Sequence, residues 1–169
     1  MPSKKPLILV AEDDSLYARI YQVKLAKEGY DVVVVGDGRL AVKKAHELKP
    51  DLILMDLIMP DMDGFAALKE IKKSDKTRKL RVVVMSNLGQ ESDMQKAIEM
   101  GAEKYFIKAN VSMTEMVGMI KDLIGGGVVI EKAAESENIV VAEEKNVKNT
   151  KIDSVHKAVE DDGIKILKI

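Results

Sequence analysis

Four short apolar runs of the sequence each end in polar residues whose types suit phosphate and metal chemistry. The residues that follow these runs are Glu12-Asp13-Asp14, Asp56, Ser86-Asn87 and Lys108. If the runs are neighbouring parallel strands, their carboxyl ends share one edge of a sheet, and Asp13, Asp14 and Asp56 lie close together. Three ionised carboxylates in one place need a counter-charge. The sequence therefore predicts a cation site at this edge.

The donor types of this predicted site indicate a hard metal ion and a phosphoryl group. The candidate ligands are oxygens and the chain has no Cys, which favours Mg²⁺ or Mn²⁺ over zinc or copper. Lys108 adds a positive charge and Ser86 a hydroxyl, as a tetrahedral dianion requires. Asp56 is the best candidate for a nucleophile that takes up a phosphoryl group. A simpler role, capping the following helix, also fits Asp14 or Ser15.

The elements that must position these residues alternate along the first 124 residues. Apolar runs, each nearly continuous as in strands covered on both faces, are Leu7–Ala11, Val32–Val35, Leu52–Met55, Val82–Met85 and Tyr105–Ile107. Stripes with helical spacing lie between them at Leu16/Ile20/Val23, Ala41/Ala45/Leu48, Leu68/Ile71, Met94/Ala97/Ile98 and Met116/Ile120/Leu123. This alternation predicts an α/β fold, an open, doubly wound parallel sheet of five strands with five helices.

Helix-boundary signals agree with this division of the chain. Gly29 and Gly101 stand where helix C-termini need a positive φ, and Ser112 with Glu115 has the spacing of a capping box. After Ile124 the sequence changes to Gly125-Gly126-Gly127 and a charged segment. We predict one domain over residues 1–124, then a Gly-rich linker and charged tail over residues 125–169 with no recognisable output domain.

Composition and charge argue against nucleic-acid binding, membrane binding and export. The 27 Lys and Arg against 28 Asp and Glu give a net charge of −1, so no general attraction to nucleic acid or anionic membrane is expected. The first apolar run is too short for a signal-peptide core or a membrane span. The expectation is a cytoplasmic protein without direct contact to nucleic acid or membrane.

Four blocks of the sequence resemble the receiver domain of two-component response regulators. They are Glu12-Asp13-Asp14, the run from Pro50 to Gly64, Ser86, and the block from Gly101 to Lys108. The resemblance covers about residues 5–124. It implies a flavodoxin-like strand order of 2-1-3-4-5, in three layers of helix, sheet and helix, and it implies a stand-alone receiver similar to chemotaxis regulators.

The resemblance also implies how the acidic residues act. Asp56 matches the phosphoacceptor, which takes a phosphoryl group from a histidine kinase or a phosphotransfer protein. Asp13 and Asp14 match the acidic pair that holds Mg²⁺, with Asp56 and the backbone carbonyl of Ile58 as further ligands. The only chemistry implied is self-phosphorylation and self-dephosphorylation, so the protein is expected to be a signalling protein and not an enzyme.

The remaining site residues match those that convert phosphorylation into a signal. Ser86 matches the switch hydroxyl, Tyr105 the aromatic residue that changes rotamer with it, and Lys108 the lysine that pairs with the phosphoryl group. Phosphorylation is then expected to shift a pre-existing equilibrium of the surface formed by the fourth helix, fifth strand and fifth helix. A downstream protein would bind that surface, and a phosphorylation-dependent homodimer could form through it.

Two other functions are compatible with the same residue types. One is a Mg²⁺-dependent aspartyl phosphohydrolase, in which Asp56 is a turnover nucleophile. Such phosphatases typically carry a second acid two residues after the nucleophile, where this chain has Ile58. The other is a phosphate-independent interaction module with a receiver fold, against which the retention of the site residues argues.

Departures from the family pattern carry their own expectations. Ala109 follows Lys108 where the family usually has Pro, so a cis peptide is not expected there. Asn87 is larger than the usual residue and is expected to narrow access to Asp56. Ile58 and Leu88 are apolar and cannot orient an attacking water by hydrogen bonding. We therefore predict slow self-dephosphorylation.

Overall fold

A computed structural model describes residues 4–125 of the chain. Its strands are β1 (Leu7–Ala11), β2 (Asp31–Val35), β3 (Leu52–Met55), β4 (Val82–Ser86) and β5 (Lys104–Ile107). Its α-helices are α1 (Ser15–Lys27), α2 (Gly38–Leu48), α3 (Gly64–Lys73), α4 (Glu91–Glu99) and α5 (Met113–Ile124), and a short 3₁₀ turn spans Lys108–Asn110. Strand and helix alternate as the hydrophobic pattern predicts.

The five strands form one parallel sheet in the order β2-β1-β3-β4-β5, which confirms the expected flavodoxin-like topology. The chain moves from β1 outward to β2 and then returns to place β3 on the other side of β1. The strand order therefore reverses between β1 and β3. In open sheets of this kind, ligands bind outside the carboxyl ends of the strands at such a reversal.

Side chains of the sheet pack into two apolar layers, one on each face. The layer of Leu9, Ile53 and Val84 is covered by α2, α3 and α4. The opposite layer, which includes Ile8 and Leu54, is covered by α1 and α5. Both faces of the sheet are thus buried, which is why its strands read as continuous apolar runs and not as alternating ones.

Local sequence signals predicted most element boundaries. Strand ends agree within one residue, Gly29 and Gly101 have φ of 93° and 100°, and the Ser112–Glu115 capping box is present. Three residues assigned to buried helical stripes are instead exposed: Leu16 at 42%, Leu48 at 38% and Ile98 at 47%. Each lies within one turn of a helix end, where the neighbouring elements no longer cover the stripe.

Beyond Gly125, the predicted linker and tail lie outside the residues that the structure describes. The domain boundary therefore stays a prediction. Over residues 4–125, no helix combines the length and hydropathy that crossing a membrane requires.

Candidate functional site

The site begins with the register of β1 and β3. Ala11 pairs with Met55, so the next residues, Glu12 and Asp56, emerge side by side at the carboxyl edge of the sheet. The Asp56 N–H donates to the Ala11 carbonyl at 2.9 Å, and the Glu12 N–H donates to the Val35 carbonyl at 2.9 Å. Backbone hydrogen bonds of the sheet therefore fix the positions of both carboxylates.

A buried lysine joins these two carboxylates. Lys108 Nζ donates to Glu12 Oε2 at 2.5 Å and to Asp56 Oδ2 at 2.6 Å. The side chains of Lys108 and Glu12 are 2% exposed and that of Asp56 is 7% exposed. Lys108 follows β5 directly, so residues separated by 96 and 52 positions meet at one point. Charge-assisted hydrogen bonds of this kind are short and strong where water is excluded.

Asp13 completes a cluster of three carboxylates. One carboxylate oxygen from each of Glu12, Asp13 and Asp56 lies within 4.8 Å of the others. Three carboxylates against one ammonium leave a formal charge of −2, which a single divalent cation neutralises. The donors are all oxygens, as Mg²⁺ prefers, so the residues present fit that ion.

Burial and mutual contact shift the pKa values of Glu12 and Lys108. Desolvation raises the pKa of Glu12 to about 7, although its hydrogen bond to Lys108 opposes the rise. For Lys108, burial lowers the pKa, but the hydrogen bonds and charges of Asp56 and Glu12 outweigh burial and raise it. The ammonium is thereby kept charged beside Asp56.

Asp14, one member of the predicted acidic pair, makes a different contact in the structure. Asp14 is the N-cap of α1, and its Oδ1 accepts the N–H groups of Leu16 at 2.9 Å and Tyr17 at 3.4 Å. Among the described residues, the three-carboxylate cluster contains Glu12 and Asp13 but not Asp14. Capping was the alternative role expected for Asp14, and a carboxylate bonded to helix N–H groups is less available to a cation, which favours Glu12 with Asp13 as the acidic pair.

The loop after Asp56 is held by close backbone contacts. The Gly64 N–H donates to the Leu57 carbonyl at 2.9 Å, and a Cβ added at Gly64 would lie 2.1 Å from the Asp56 carbonyl oxygen. Only glycine permits this approach. The Ile58 N–H donates to Asp56 Oδ1 at 3.2 Å, so the loop also orients the carboxylate.

Ser86 and Tyr105 both contact the loop between β4 and α4. Ser86 is fully buried, pairs in register with Ile107, and its Oγ accepts the Leu88 N–H at 3.3 Å. The Tyr105 hydroxyl donates to the Leu88 carbonyl at 2.8 Å, and burial raises the pKa of Tyr105 to about 12. The two predicted switch residues are therefore both hydrogen-bonded to the backbone of Leu88.

Two other residues singled out in the sequence are exposed to solvent. The Ile58 side chain is 55% exposed, and Asn87 is also exposed. Residues 4–125 contain no cis peptide bond, as expected for the Lys108–Ala109 step.

Fold and site together define a doubly wound α/β protein with an acidic, lysine-containing pocket at its topological switch point. The family described as response regulator receiver domain matches residues 8–121. The chain therefore belongs to this family. Receiver domains of two-component systems are signalling proteins that interact with histidine kinases and downstream targets, and they bind Mg²⁺ at an acidic pocket.

Individual relatives differ in how much of their length is matched. The chain is 39% identical to the chemotaxis protein CheY of Bacillus subtilis over 102 residues, which are 60% of this chain and 83% of that protein. It is 30% identical over 135 residues to the DNA-binding dual master transcriptional regulator RpaA of Synechocystis sp., covering 80% of this chain and 56% of the regulator. The chain thus spans about half the length of that regulator.

A solved structure with the same fold is the receiver domain of the sensor histidine kinase PA1611 from Pseudomonas aeruginosa. It aligns with a TM-score of 0.66 at 27% identity, over 72% of this chain and 99% of that domain. That domain has a magnesium ion coordinated in its active site cleft.

Proposed function

We propose that this protein is a phosphorylation-activated switch in which Asp56 accepts a phosphoryl group from a histidine kinase or a phosphotransfer protein. The observation that carries the proposal is the buried contact of Lys108 Nζ with Asp56 Oδ2 at 2.6 Å, inside a cluster of three carboxylates. The fixed ammonium places positive charge beside the carboxylate oxygen proposed as the nucleophile, where a phosphoryl group would arrive.

The transfer forms one bond and breaks one. A carboxylate oxygen of Asp56 attacks phosphorus, a P–O bond forms, and the P–N bond to the donor imidazole breaks. The electron pair of that bond stays on the imidazole nitrogen. Lys108 already lies beside the acceptor carboxylate, so only its hydrogen bond moves, from that carboxylate to the negatively charged phosphoryl oxygens.

The metal site that we propose consists of Glu12, Asp13 and Asp56 with the backbone carbonyl of Ile58. It differs from the set predicted by resemblance in that Glu12 replaces Asp14, which caps α1. Bound there, Mg²⁺ supplies positive charge that screens the acidic cluster from the incoming phosphoryl group. The aspartates and Glu12 keep that charge next to the acceptor oxygen.

The signal that follows is a change in binding at the surface of α4, β5 and α5. The phosphoryl group carries about −1.5 to −2 charge and replaces the −1 charge of the Asp56 carboxylate, so negative charge increases and moves toward Ser86 and Lys108. Because Ser86 and Tyr105 both bond to Leu88, a shift of either changes the β4–α4 loop. A downstream protein or a second copy of the chain is the proposed partner of this surface. The proposal places the protein in the cytoplasm, which fits a chain without cysteine.

Intact mass after incubation with Mg²⁺ and acetyl phosphate tests the acceptor. The native chain is expected to gain one phosphoryl group, and Asp56→Asn is expected to gain none. Asp61→Asn is the matched control, since Asp61 is an exposed residue of the same loop with φ of 61°, which Asn tolerates. A chelator is expected to remove the gain. Modification of the Asp56→Asn variant would refute the assignment, and steady phosphate release from a small phosphoester would indicate a phosphohydrolase.

Calorimetric Mg²⁺ titration tests the revised ligand set. Glu12→Gln is expected to weaken binding severalfold, because it removes a charge from the cluster. Asp14→Asn is the control, since Asn also caps helices and is expected to bind Mg²⁺ as the native chain does. The opposite ranking would restore Asp14 as a ligand.

A further inference from the structure

Among residues 4–125, the Lys108 ammonium has an aromatic neighbour as well as two carboxylate partners. A lysine offers three N–H donors, and two of them reach Glu12 and Asp56. Lys108 Nζ also lies 4.6 Å from the centroid of the Tyr17 ring, and the lysine side chain is only 2% exposed. The aromatic face therefore lies where water would otherwise solvate the ammonium.

The Tyr17 ring is itself held in place. Tyr17 lies in the first turn of α1, is 8% exposed, and its N–H is bonded by the capping Asp14 carboxylate. Its ring packs beside Tyr21 with centroids 6.0 Å apart and planes tilted by 31°. Helix capping and core packing thus fix the ring against the lysine.

We propose that Tyr17 is a positioning residue for Lys108: its ring face binds the ammonium, excludes water from it and directs it toward Asp56. A cation over an aromatic face is attracted by the ring quadrupole, and the attraction is stronger when the cation is desolvated. For phosphoryl transfer this inference rests on the proposed function, but for the placement of Lys108 it stands on geometry alone.

The contact between the Tyr17 ring and Lys108 does not depend on the charge of Asp56, so the reaction does not remove it. When Asp56 becomes an acyl phosphate, its carboxylate charge is lost and Lys108 must rebind to phosphoryl oxygens. Glu12 Oε2, at 2.5 Å, competes for the same ammonium throughout. A neutral ring holds the ammonium at the acceptor without offering it a second negative charge.

Proton exchange of the Lys108 ammonium tests this without metal or phosphodonor. The variants are Tyr17→Phe, which keeps the ring face, and Tyr17→Leu and Tyr17→Met, which replace it by apolar side chains. Leu25→Val is the matched control, because Leu25 is buried in the same helix and the same apolar layer, eight residues beyond Tyr17. The ammonium signal is assigned in ¹⁵N-labelled protein by its loss in Lys108→Met.

We expect slow exchange at fixed pH in the native chain, Tyr17→Phe and Leu25→Val. In Tyr17→Leu and Tyr17→Met we expect exchange to be faster by roughly 2- to 30-fold, the range that a cation–π contact implies. Amide spectra establish which variants are folded, and having two replacements guards against failure of one. Native exchange in a folded Tyr17→Leu or Tyr17→Met variant, or equal acceleration in Leu25→Val, would overturn the proposal.

Phosphorylation rates with acetyl phosphate separate the two hypotheses. Slower modification of Tyr17→Leu, with full rescue by Tyr17→Phe, supports the role of the ring in transfer. If the native chain shows ring-dependent ammonium exchange but gains no phosphoryl group, the proposed function fails and the placement of Lys108 by Tyr17 stands. If the native chain is modified and Tyr17→Leu matches it in both measurements, only the inference about Tyr17 fails.

Discussion

Two regions of this domain differ in how many of their residues are buried. The acceptor region comprises β1, β3, the loop to Gly64 and α3, and the switch region comprises residues 87–107, which contain α4 and β5. All four residues of β3 are buried, whereas none of the four residues of β5 is. Helix α3 buries Gly64, Ala67, Leu68 and Ile71, whereas α4 buries Ala97 alone.

The two helices also begin differently. Asp63 caps α3 by accepting the Ala66 N–H at 2.8 Å, whereas Gln90 makes no side-chain capping bond to α4. Segments with few buried contacts and poorly capped ends open at lower free energy than the core. The contrast teaches that the proposed acceptor lies where the backbone is fixed, and that a conformational response costs least free energy where fewer side chains are buried.

The largest effect is expected from Gly64→Ala in the acceptor region. The added Cβ would lie 2.1 Å from the Asp56 carbonyl oxygen and 2.7 Å from the Leu57 Cα, both backbone atoms that cannot move aside cheaply. We expect a loss of about 3 kcal/mol in the free energy of unfolding, measured by urea denaturation.

Gly89→Ala is the matched change in the switch region. Its Cβ would meet only the Ile107 Cδ1 at 3.5 Å, an ordinary contact, so we expect a change below about 0.5 kcal/mol. Equal losses for the two alanines would remove the contrast between the regions.

The next effect concerns the lifetime of the acyl phosphate and rests on the proposed function. Ile58 is 55% exposed beside Asp56, so Ile58→Asn is expected to leave stability unchanged while offering an amide that can orient water. We expect dephosphorylation to accelerate by about tenfold, measured as decay of the phosphorylated mass. Ile58→Val is the control. A native lifetime of seconds would contradict the expectation that Ile58 and Leu88 make decay slow.

Capping variants test the contrast between α3 and α4, with an expected change of about 1 kcal/mol in the free energy of unfolding. Asp63→Ala removes the cap of α3 and is expected to lower the free energy of unfolding by about that amount. Gln90→Asp supplies the missing cap of α4 and is expected to slow amide hydrogen exchange in α4. Faster exchange in native α3 than in native α4 would reverse the assignment of the two regions.

The smallest effect concerns the ion pair that ties α5 to the end of α1. The hydrogen bond from Lys121 Nζ to Glu28 Oε2, at 2.7 Å, lowers the pKa of Glu28 below its ordinary value of 4.5. A lowered carboxyl pKa gives stability that is present above about pH 4.5 and lost as the pH falls through the folded-state pKa.

Glu28→Gln is therefore expected to be slightly less stable than the native chain at pH 7. The difference should shrink as the pH falls below 4.5, as followed by thermal unfolding across that range. A difference that grew on acidification would have the wrong sign for this contact.

Sequence reasoning predicted the sheet because its signals are local. Continuous apolar runs mark strands covered on both faces, and Gly29, Gly101 and Ser112 mark helix boundaries through φ and capping that depend on residues within one turn. The strand order came from resemblance to a family, and the observed topology confirms it.

The sequence carries a weaker signal where one residue of register decides which carboxylates lie together. Glu12, Asp13 and Asp14 are equally acidic in the sequence, and only the pairing of Ala11 with Met55 puts Glu12 beside Asp56 while the start of α1 takes Asp14. Adjacent residues at the end of a strand point in different directions, so a shift of one position changes which carboxylate faces the pocket.

By itself, therefore, the sequence determined the elements, their caps and the set of polar residues at one edge of the sheet. The tertiary structure decided which carboxylates share the Lys108 ammonium, that the Tyr17 ring covers it, and that Leu16, Leu48 and Ile98 remain exposed. The physical reason is range: capping and backbone preference act within a few residues, whereas these contacts depend on how elements far apart in the chain pack against one another.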